Sequence, residues 1–131
     1  MHSHQIMWFK KNRRNALDRS KLVFGLCDDP VVQVFESLES AQSYIEPPDV
    51  DVWKVYTVDG KVIDVILDGR PTSFWSLGIG TVRLVVTEKF AKQELEQAIL
   101  DNLKGSTMTV DSGASLESLI DVFLKWNTQI L

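Results

Sequence analysis

Four aspartates are concentrated in the middle of the chain, where their carboxylates are candidates for acid–base chemistry or for binding. They are Asp49, Asp51, Asp64 and Asp68. Two neighbouring carboxylates can act as acid and base when burial separates their pKa values. The spacing does not by itself bring any two together, and exposure on a solvated surface explains the same residues. Asp64 is the first candidate, because an acid within the apolar run 62–66 must reach water or a partner.

The folded body lacks histidine and holds a single cysteine. His2 and His4 are the only histidines, and they lie in the start Met1 to Gln5, which resembles a vector remnant. Ser-His-Asp triads, Cys-His pairs and histidine-built zinc sites each need an imidazole in the folded part. Cys27 alone cannot hold zinc or close a disulfide within the chain. No phosphate-binding or dinucleotide-binding glycine motif is present. We therefore expect neither a metal nor a cofactor.

Trp53 and Trp75 are candidate anchors for a protein partner. Trp53 lies in a predicted strand, and Trp75 lies in an apolar stretch broken by Gly78 and Gly80. Tryptophan is enriched among the residues that dominate binding energies at interfaces, and loops often carry such contacts. Burial in the core is the alternative interpretation of Trp75.

The charge is divided unevenly along the chain. Residues 1–21 hold six basic side chains and one acidic one, a balance of +5, and the remaining 110 residues hold 8 basic and 17 acidic side chains, a balance of −9. We divide the chain into a basic arm, residues 1–20, and one domain, residues 21–131. An acidic body disfavours nucleic-acid binding by the domain and favours a basic protein partner. An acidic surface kept for solubility gives the same balance.

The length and composition predict one globular domain. A chain of 131 residues with 44% hydrophobic residues buries about two thirds of the surface that it exposes when unfolded. No apolar run reaches the length of a membrane span, and the first residues lack the apolar centre of a signal peptide. The single cysteine fits a reducing compartment. We therefore expect a cytoplasmic protein without a transmembrane segment.

The stretch 31–67 carries the clearest pattern of secondary structure. It predicts a strand, a short helix, a second strand, a tight turn and a third strand. Ser37 is suited to begin the helix, because its hydroxyl can accept a hydrogen bond from a free backbone N–H. Two prolines at positions 47 and 48 end it. Asp59-Gly60 predicts a type I′ turn, which requires two residues that tolerate positive φ.

Further elements are predicted on either side of this stretch. Strands are expected at 21–27 and 81–87, a helix from Thr87 or Glu88 to residue 104, and a last helix at 116–127. Together these elements predict an α+β fold. It consists of a mostly antiparallel sheet of five strands, in the order β-β-α-β-β-β-α-α, with the helices packed on one face.

Four short segments carry a resemblance to a known class of proteins. They are Phe35-Glu36-Ser37-Leu38-Glu39-Ser40-Ala41, Tyr44-Ile45-Glu46, Asp49-Val50 and Asp59-Gly60. With these segments, residues 30–104 resemble small bacterial proteins of uncharacterised type, some of which look like immunity proteins encoded beside polymorphic toxins. The resemblance implies a cytoplasmic α+β binding protein and carries over no functional residue.

The leading hypothesis is a non-catalytic protein-binding module. Its most concrete form is an immunity- or antitoxin-like inhibitor whose acidic surface faces a basic toxin. One alternative is a small-molecule-binding or carboxylate-dependent enzymatic domain, and a second is an adaptor tethered by the basic arm. The sequence leaves open whether the apolar sheet faces are buried in one chain or in a homodimer. The predicted partner-binding residues are Asp49, Asp51, Asp64, Asp68, Trp53 and Trp75.

Overall fold

A five-stranded antiparallel sheet forms the centre of the protein in its computed structural model. The structure describes residues 18–28, 31–69, 80–104, 110, 113–127 and 129–131. The elements in chain order are a 3-10 turn at Arg19–Lys21, β1 (Val23–Leu26), β2 (Val32–Phe35), α1 (Leu38–Tyr44), a second 3-10 turn at Pro47–Asp49, β3 (Lys54–Thr57), β4 (Lys61–Asp68), β5 (Thr81–Phe90), α2 (Lys92–Leu103) and α3 (Leu116–Trp126).

The strand order across the sheet is β2-β1-β3-β4-β5, and every neighbouring pair is antiparallel. The predicted α+β class and the predicted order of elements are confirmed. Within the residues described, no helix combines the length and apolarity needed to cross a lipid bilayer.

The helices cover both faces of the sheet, and each face has its own hydrophobic core. The expected packing on one face holds for α2 and α3, whereas α1 lies on the opposite face. Successive strand residues point to opposite faces, and because both sets are apolar here, one layer of helices cannot bury them. The core under α2 and α3 contains Leu22, Phe24, Val32, Val34, Tyr56, Leu95, Ile99, Leu103, Leu116, Leu119, Ile120 and Phe123. The core under α1 contains Val23, Phe35, Ala41, Ile45, Trp53, Val55, Ile63, Val82 and Leu84.

The hairpin between β3 and β4 forms as predicted, but with a different turn. Within the turn only Gly60 has positive φ, at +85°, and its N–H donates to the carbonyl of Thr57 over 3.0 Å. The connection is therefore a three-residue loop, Val58 to Gly60, with the glycine in the left-handed region. The predicted type I′ turn is wrong, because it would need positive φ at Asp59 as well.

The last strand is longer than predicted, and the helix that follows begins later. β5 continues to Phe90, which pairs with Lys61, and α2 begins at Lys92. Thr87 was expected to begin this helix, yet its hydroxyl donates to the carbonyl of Val62 over 2.7 Å. Residues 87–89 stand opposite Val62 alone, which makes a bulge. Local capping signals could not reveal this, because the strand pairing that extends β5 is a long-range contact.

The N-terminal 3-10 turn is attached to the last helix. Arg19 forms a hydrogen-bonded ion pair with Asp121 and donates to the carbonyl of Glu117 over 3.0 Å. Asp18 caps the turn by accepting from the N–H of Ser20 at 3.0 Å. The folded part therefore includes residues that the sequence analysis assigns to the basic arm, and residues 1–17 lie outside the described part.

Candidate functional site: an acidic groove beside β3 and β4

A groove opens where β3 and β4 diverge. These strands pair only through Val55 with Ile63 and Tyr56 with Val62, although β4 continues along β5 to Asp68. The chain that enters β3 turns away through the second 3-10 turn and leaves a groove of about 390 Å³. Its charged lining consists of Asp51, Lys54, Asp64 and Glu94.

A second cleft adjoins this groove and shares three of its lining residues. It has a volume of about 680 Å³ and lies between α2 and the ends of β1 and β3. Lys54, Tyr56 and Glu94 line both depressions. The cleft adds Asp28 and Asp101. We call the two depressions together the acidic groove. Its charged lining, among the described residues, is Asp28, Asp51, Asp64, Glu94 and Asp101 with the ammonium of Lys54.

Most of the carboxylates in the acidic groove have no basic partner in the part of the chain that the structure describes. No described Lys or Arg nitrogen lies within 4.0 Å of the carboxylates of Asp28, Asp51, Asp64 or Glu94. Asp101 differs, because it pairs with Lys104 at 3.2 Å and accepts from Gln97 at 2.9 Å. These two hydrogen bonds lower the pKa of Asp101 and keep it ionised.

Tyr56 anchors Glu94 at the centre of the acidic groove. The phenol donates a hydrogen bond to Oε2 of Glu94 over 3.0 Å. Burial, and then the bond to this carboxylate, raise the pKa of Tyr56 to about 12. The phenol therefore keeps its proton at neutral pH and acts as a donor.

The structure brings two of the predicted partner-binding aspartates together. Asp51 and Asp64 are both exposed and both line the acidic groove. Asp64 thus reaches water, as the sequence requires of an acid in an apolar strand.

Asp49 and Asp68 lie apart from the acidic groove lining. Asp49 belongs to the 3-10 turn, where its N–H donates to the carbonyl of Glu46 at 2.9 Å. Asp68 lies at the far end of β4 and pairs with Arg83, whose Nε is 2.5 Å from Oδ2. The guanidinium of Arg83 therefore offsets part of the negative charge of Asp68.

Trp53 is largely a core residue. Its exposed fraction is 9%, and its ring makes edge-on contacts with Phe35 and Tyr44 at centroid distances of 6.1 and 6.0 Å. Gly25 lies directly beneath it, since a Cβ there would be 2.9 Å from the indole ring. Only the remaining edge of Trp53 lines the acidic groove. Trp75 lies outside the described residues.

Sequence reasoning missed the contributions of Lys54, Glu94, Asp28 and Asp101. None of these four residues was named as a candidate from the sequence. The helical pattern could have placed Glu94 next to the apolar face of α2, because it directly precedes Leu95, which is buried. That α2 packs beside β3, however, follows only from the tertiary fold.

Among the residues that the structure describes, no three His, Cys, Asp or Glu side chains come together as a metal ion would require. The sequence and the fold were also compared with known proteins. No family model matches the chain, and no curated protein or solved structure is significantly similar to it.

Proposed function

We propose that this domain is a non-catalytic binding module that accepts a basic segment of another protein in the acidic groove. The observation that carries the proposal is the charge of this one surface. Among the described residues, five carboxylates line it against one ammonium, and four of these carboxylates, all but that of Asp101, have no basic partner within 4.0 Å.

A charged surface of this kind acts mainly on the rate of association. Complementary charges steer the encounter of two proteins and raise the association rate, and they reject partners of the wrong charge. The apolar part of the groove, which includes Val50, Val55 and Val65, supplies surface that a partner can bury. The affinity then depends on how well a partner packs against this apolar surface.

The most concrete form of this function is an immunity- or antitoxin-like inhibitor. The resemblance of residues 30–104 to small bacterial proteins of that type supports it, and toxins that act on nucleic acid offer a basic surface. The alternative of an adaptor tethered by residues 1–20 depends mostly on residues outside the described part.

The proposal is tested by panning a phage-displayed library of random peptides on the purified domain. We expect the selected peptides to be rich in Lys and Arg. Asp51→Asn combined with Asp64→Asn should lower the association rate of a selected peptide by about tenfold at low salt and by less at high salt.

The matched control neutralises two exposed acids outside the acidic groove, Glu39→Gln with Glu117→Gln. This variant has the same net charge as the groove variant and should bind like the original domain. Selection of peptides without basic residues, or equal loss of rate in the two variants, would overturn the proposal.

A further inference from the structure

A second groove crosses the β2 edge of the sheet, on a different part of the surface from the acidic groove. Its volume is about 450 Å³, within the range of about 300–1,000 Å³ that is typical of small-molecule sites. Tyr44, at the end of α1, and Trp126, at the end of α3, both line it. Their exposed fractions are 48% and 43%, so both rings are available to a ligand.

The lining of this groove carries no charged side chain among the described residues, in a domain that is otherwise rich in acids. Its polar groups are the amides of Gln33, Asn127 and Gln129 with the phenol of Tyr44. Each amide offers an acceptor oxygen and two N–H donors. Val31, Val32, Val34 and Leu131 complete the surface.

Gln33 holds an unused hydrogen-bond acceptor at this groove. Its Oε1 is buried, yet it accepts no hydrogen bond from any described residue. A buried acceptor without a partner costs about 1–3 kcal/mol and calls for an explanation. Because this oxygen has almost no accessible surface, a ligand hydroxyl reaches it only when the side chain of Gln33 turns towards the groove.

The backbone edge of β2 is already occupied, which excludes an added peptide strand as the ligand. The carbonyl of Val34 accepts from the N–H of Leu131 at 2.8 Å, and the N–H of Glu36 donates to the main-chain oxygen of Leu131 at 3.0 Å. The N–H of Val32 donates to Oδ1 of Asn102 at 2.9 Å. Binding by strand addition needs these groups free, so a ligand must use side chains instead.

We propose that the groove flanked by Tyr44 and Trp126 binds a neutral saccharide. A sugar ring has an apolar face of C–H groups that stacks on an aromatic ring, whose face is electron-rich. Its hydroxyls both donate and accept, which matches the amides of Gln33, Asn127 and Gln129. The absence of any charged side chain from the described lining favours an uncharged ligand, because none of these side chains would form an ion pair with a charged one.

The test begins with an array of neutral and acidic glycans probed with the labelled protein. The best neutral glycan is then titrated by isothermal calorimetry and followed by ¹⁵N NMR. We expect shifts at the side-chain amides of Gln33 and Gln129 and at the indole N–H of Trp126. We expect no binding of an acidic glycan such as trigalacturonate.

Two variants assign the site. Trp126→Ala and Gln33→Leu should each weaken binding by about tenfold, the usual effect of losing a stacking contact or a hydrogen bond. Gln33→Leu should leave the free energy of unfolding unchanged or raise it, because it removes the unsatisfied acceptor. If Gln33 had only a structural role, Gln33→Leu would not weaken binding while leaving stability unchanged or higher.

The control is Phe90→Ala, which removes an aromatic ring that is 59% exposed on β5 and lies outside the groove. It should bind the glycan like the original protein. An array without a neutral glycan bound above background, binding that survives both groove variants, or a preference for acidic glycans would each overturn the proposal.

Discussion

Gly60 is held by two constraints at once, a positive φ and the close approach of α2. Its φ is +85°, and a Cβ would lie 2.7 Å from Cγ of Lys92 and 3.0 Å from its Cα. The left-handed conformation costs an ordinary residue about 1–2 kcal/mol, and the contact with backbone adds to this. We expect Gly60→Ala to lower the free energy of unfolding by about 3 kcal/mol, measured by urea denaturation.

Gly69 provides the control for this prediction. It also has positive φ, at +68°, but no described atom lies within 4 Å of a Cβ built there. Gly69→Ala should therefore cost only the conformational part, about 1 kcal/mol. Equal costs at the two positions would contradict a steric role for Lys92.

The burial of Tyr56 and its hydrogen bond to Glu94 predict how stability changes at high pH. The pKa of Tyr56 is raised from 10.0 to about 12 in the folded protein. Between these values the unfolded chain releases the phenolic proton while the folded protein keeps it. The free energy of unfolding must then fall as pH rises from 10 towards 12, by less than about 1.4 kcal/mol per pH unit, since contact of Glu94 with water weakens the effect.

Tyr56→Phe removes this titration. The difference in unfolding free energy between the original protein and the variant should be constant below pH 10 and shrink above it. Tyrosinate absorbance at high pH should lose its later step in the variant. A difference that does not change across this range would contradict the raised pKa.

At the scale of single residues, the sequence predicted which side chains need a contact better than it predicted what they contact. Asp64 was predicted to reach water or a partner, because an acid in an apolar strand is costly to bury alone, and in the structure it is exposed. Trp53 was predicted as an anchor because tryptophan is common at interfaces. Its burial depends on Gly25, which leaves space for the indole only once β1 and β3 are neighbours.

At the scale of elements, local signals located the helices that begin with serine. The N–H of Ser40 donates to the hydroxyl of Ser37 at 3.1 Å, and that of Ser118 donates to Ser115 at 3.2 Å. α2 begins without any such cap, since Ala91 offers no side-chain acceptor. Its start is fixed by the N–H of Ala91, which donates to the carbonyl of Gly60 at 2.7 Å. That contact joins residues far apart in sequence, so the boundary was missed.

The β5 edge of the sheet is protected by a side chain from α1. Oε1 of Gln42 accepts from the backbone N–H of Leu84 at 2.9 Å, and the bulge at residues 87–89 interrupts the strand. Open strand edges pair with other chains, and side chains or bulges commonly block them. We expect Gln42→Met to lower the free energy of unfolding by about 1 kcal/mol and to promote self-association, measured by sedimentation velocity at increasing concentration.

Gln93→Met is the matched control, because Gln93 is an exposed residue of α2 and the same atoms are exchanged. It should remain monodisperse under conditions in which Gln42→Met associates. If both variants self-associate to the same extent, Gln42 does not protect the β5 edge from pairing with another chain.

At the scale of the whole molecule, the sequence showed that both faces of the strands are apolar. It did not show that helices cover both faces of the sheet. The sequence left open whether one chain or two would cover these faces. In the structure α1 covers one face and α2 with α3 covers much of the other. The seven-residue α1 is sufficient because Trp53 and Phe35 fill much of the space beneath it. No local sequence pattern predicts on which face of the sheet a short helix packs.

One sheet shared by two cores predicts that the molecule unfolds as a unit. Ile120 of α3 is fully buried in one core, and Ile45 lies in the other. Ile120→Val should lower the free energy of unfolding by about 1 kcal/mol. Amide hydrogen exchange should then accelerate equally in α3 and in α1, the helix on the opposite face, whereas Lys125→Ala on the exposed side of α3 should change neither. Acceleration confined to α3 would show instead that the two faces open independently.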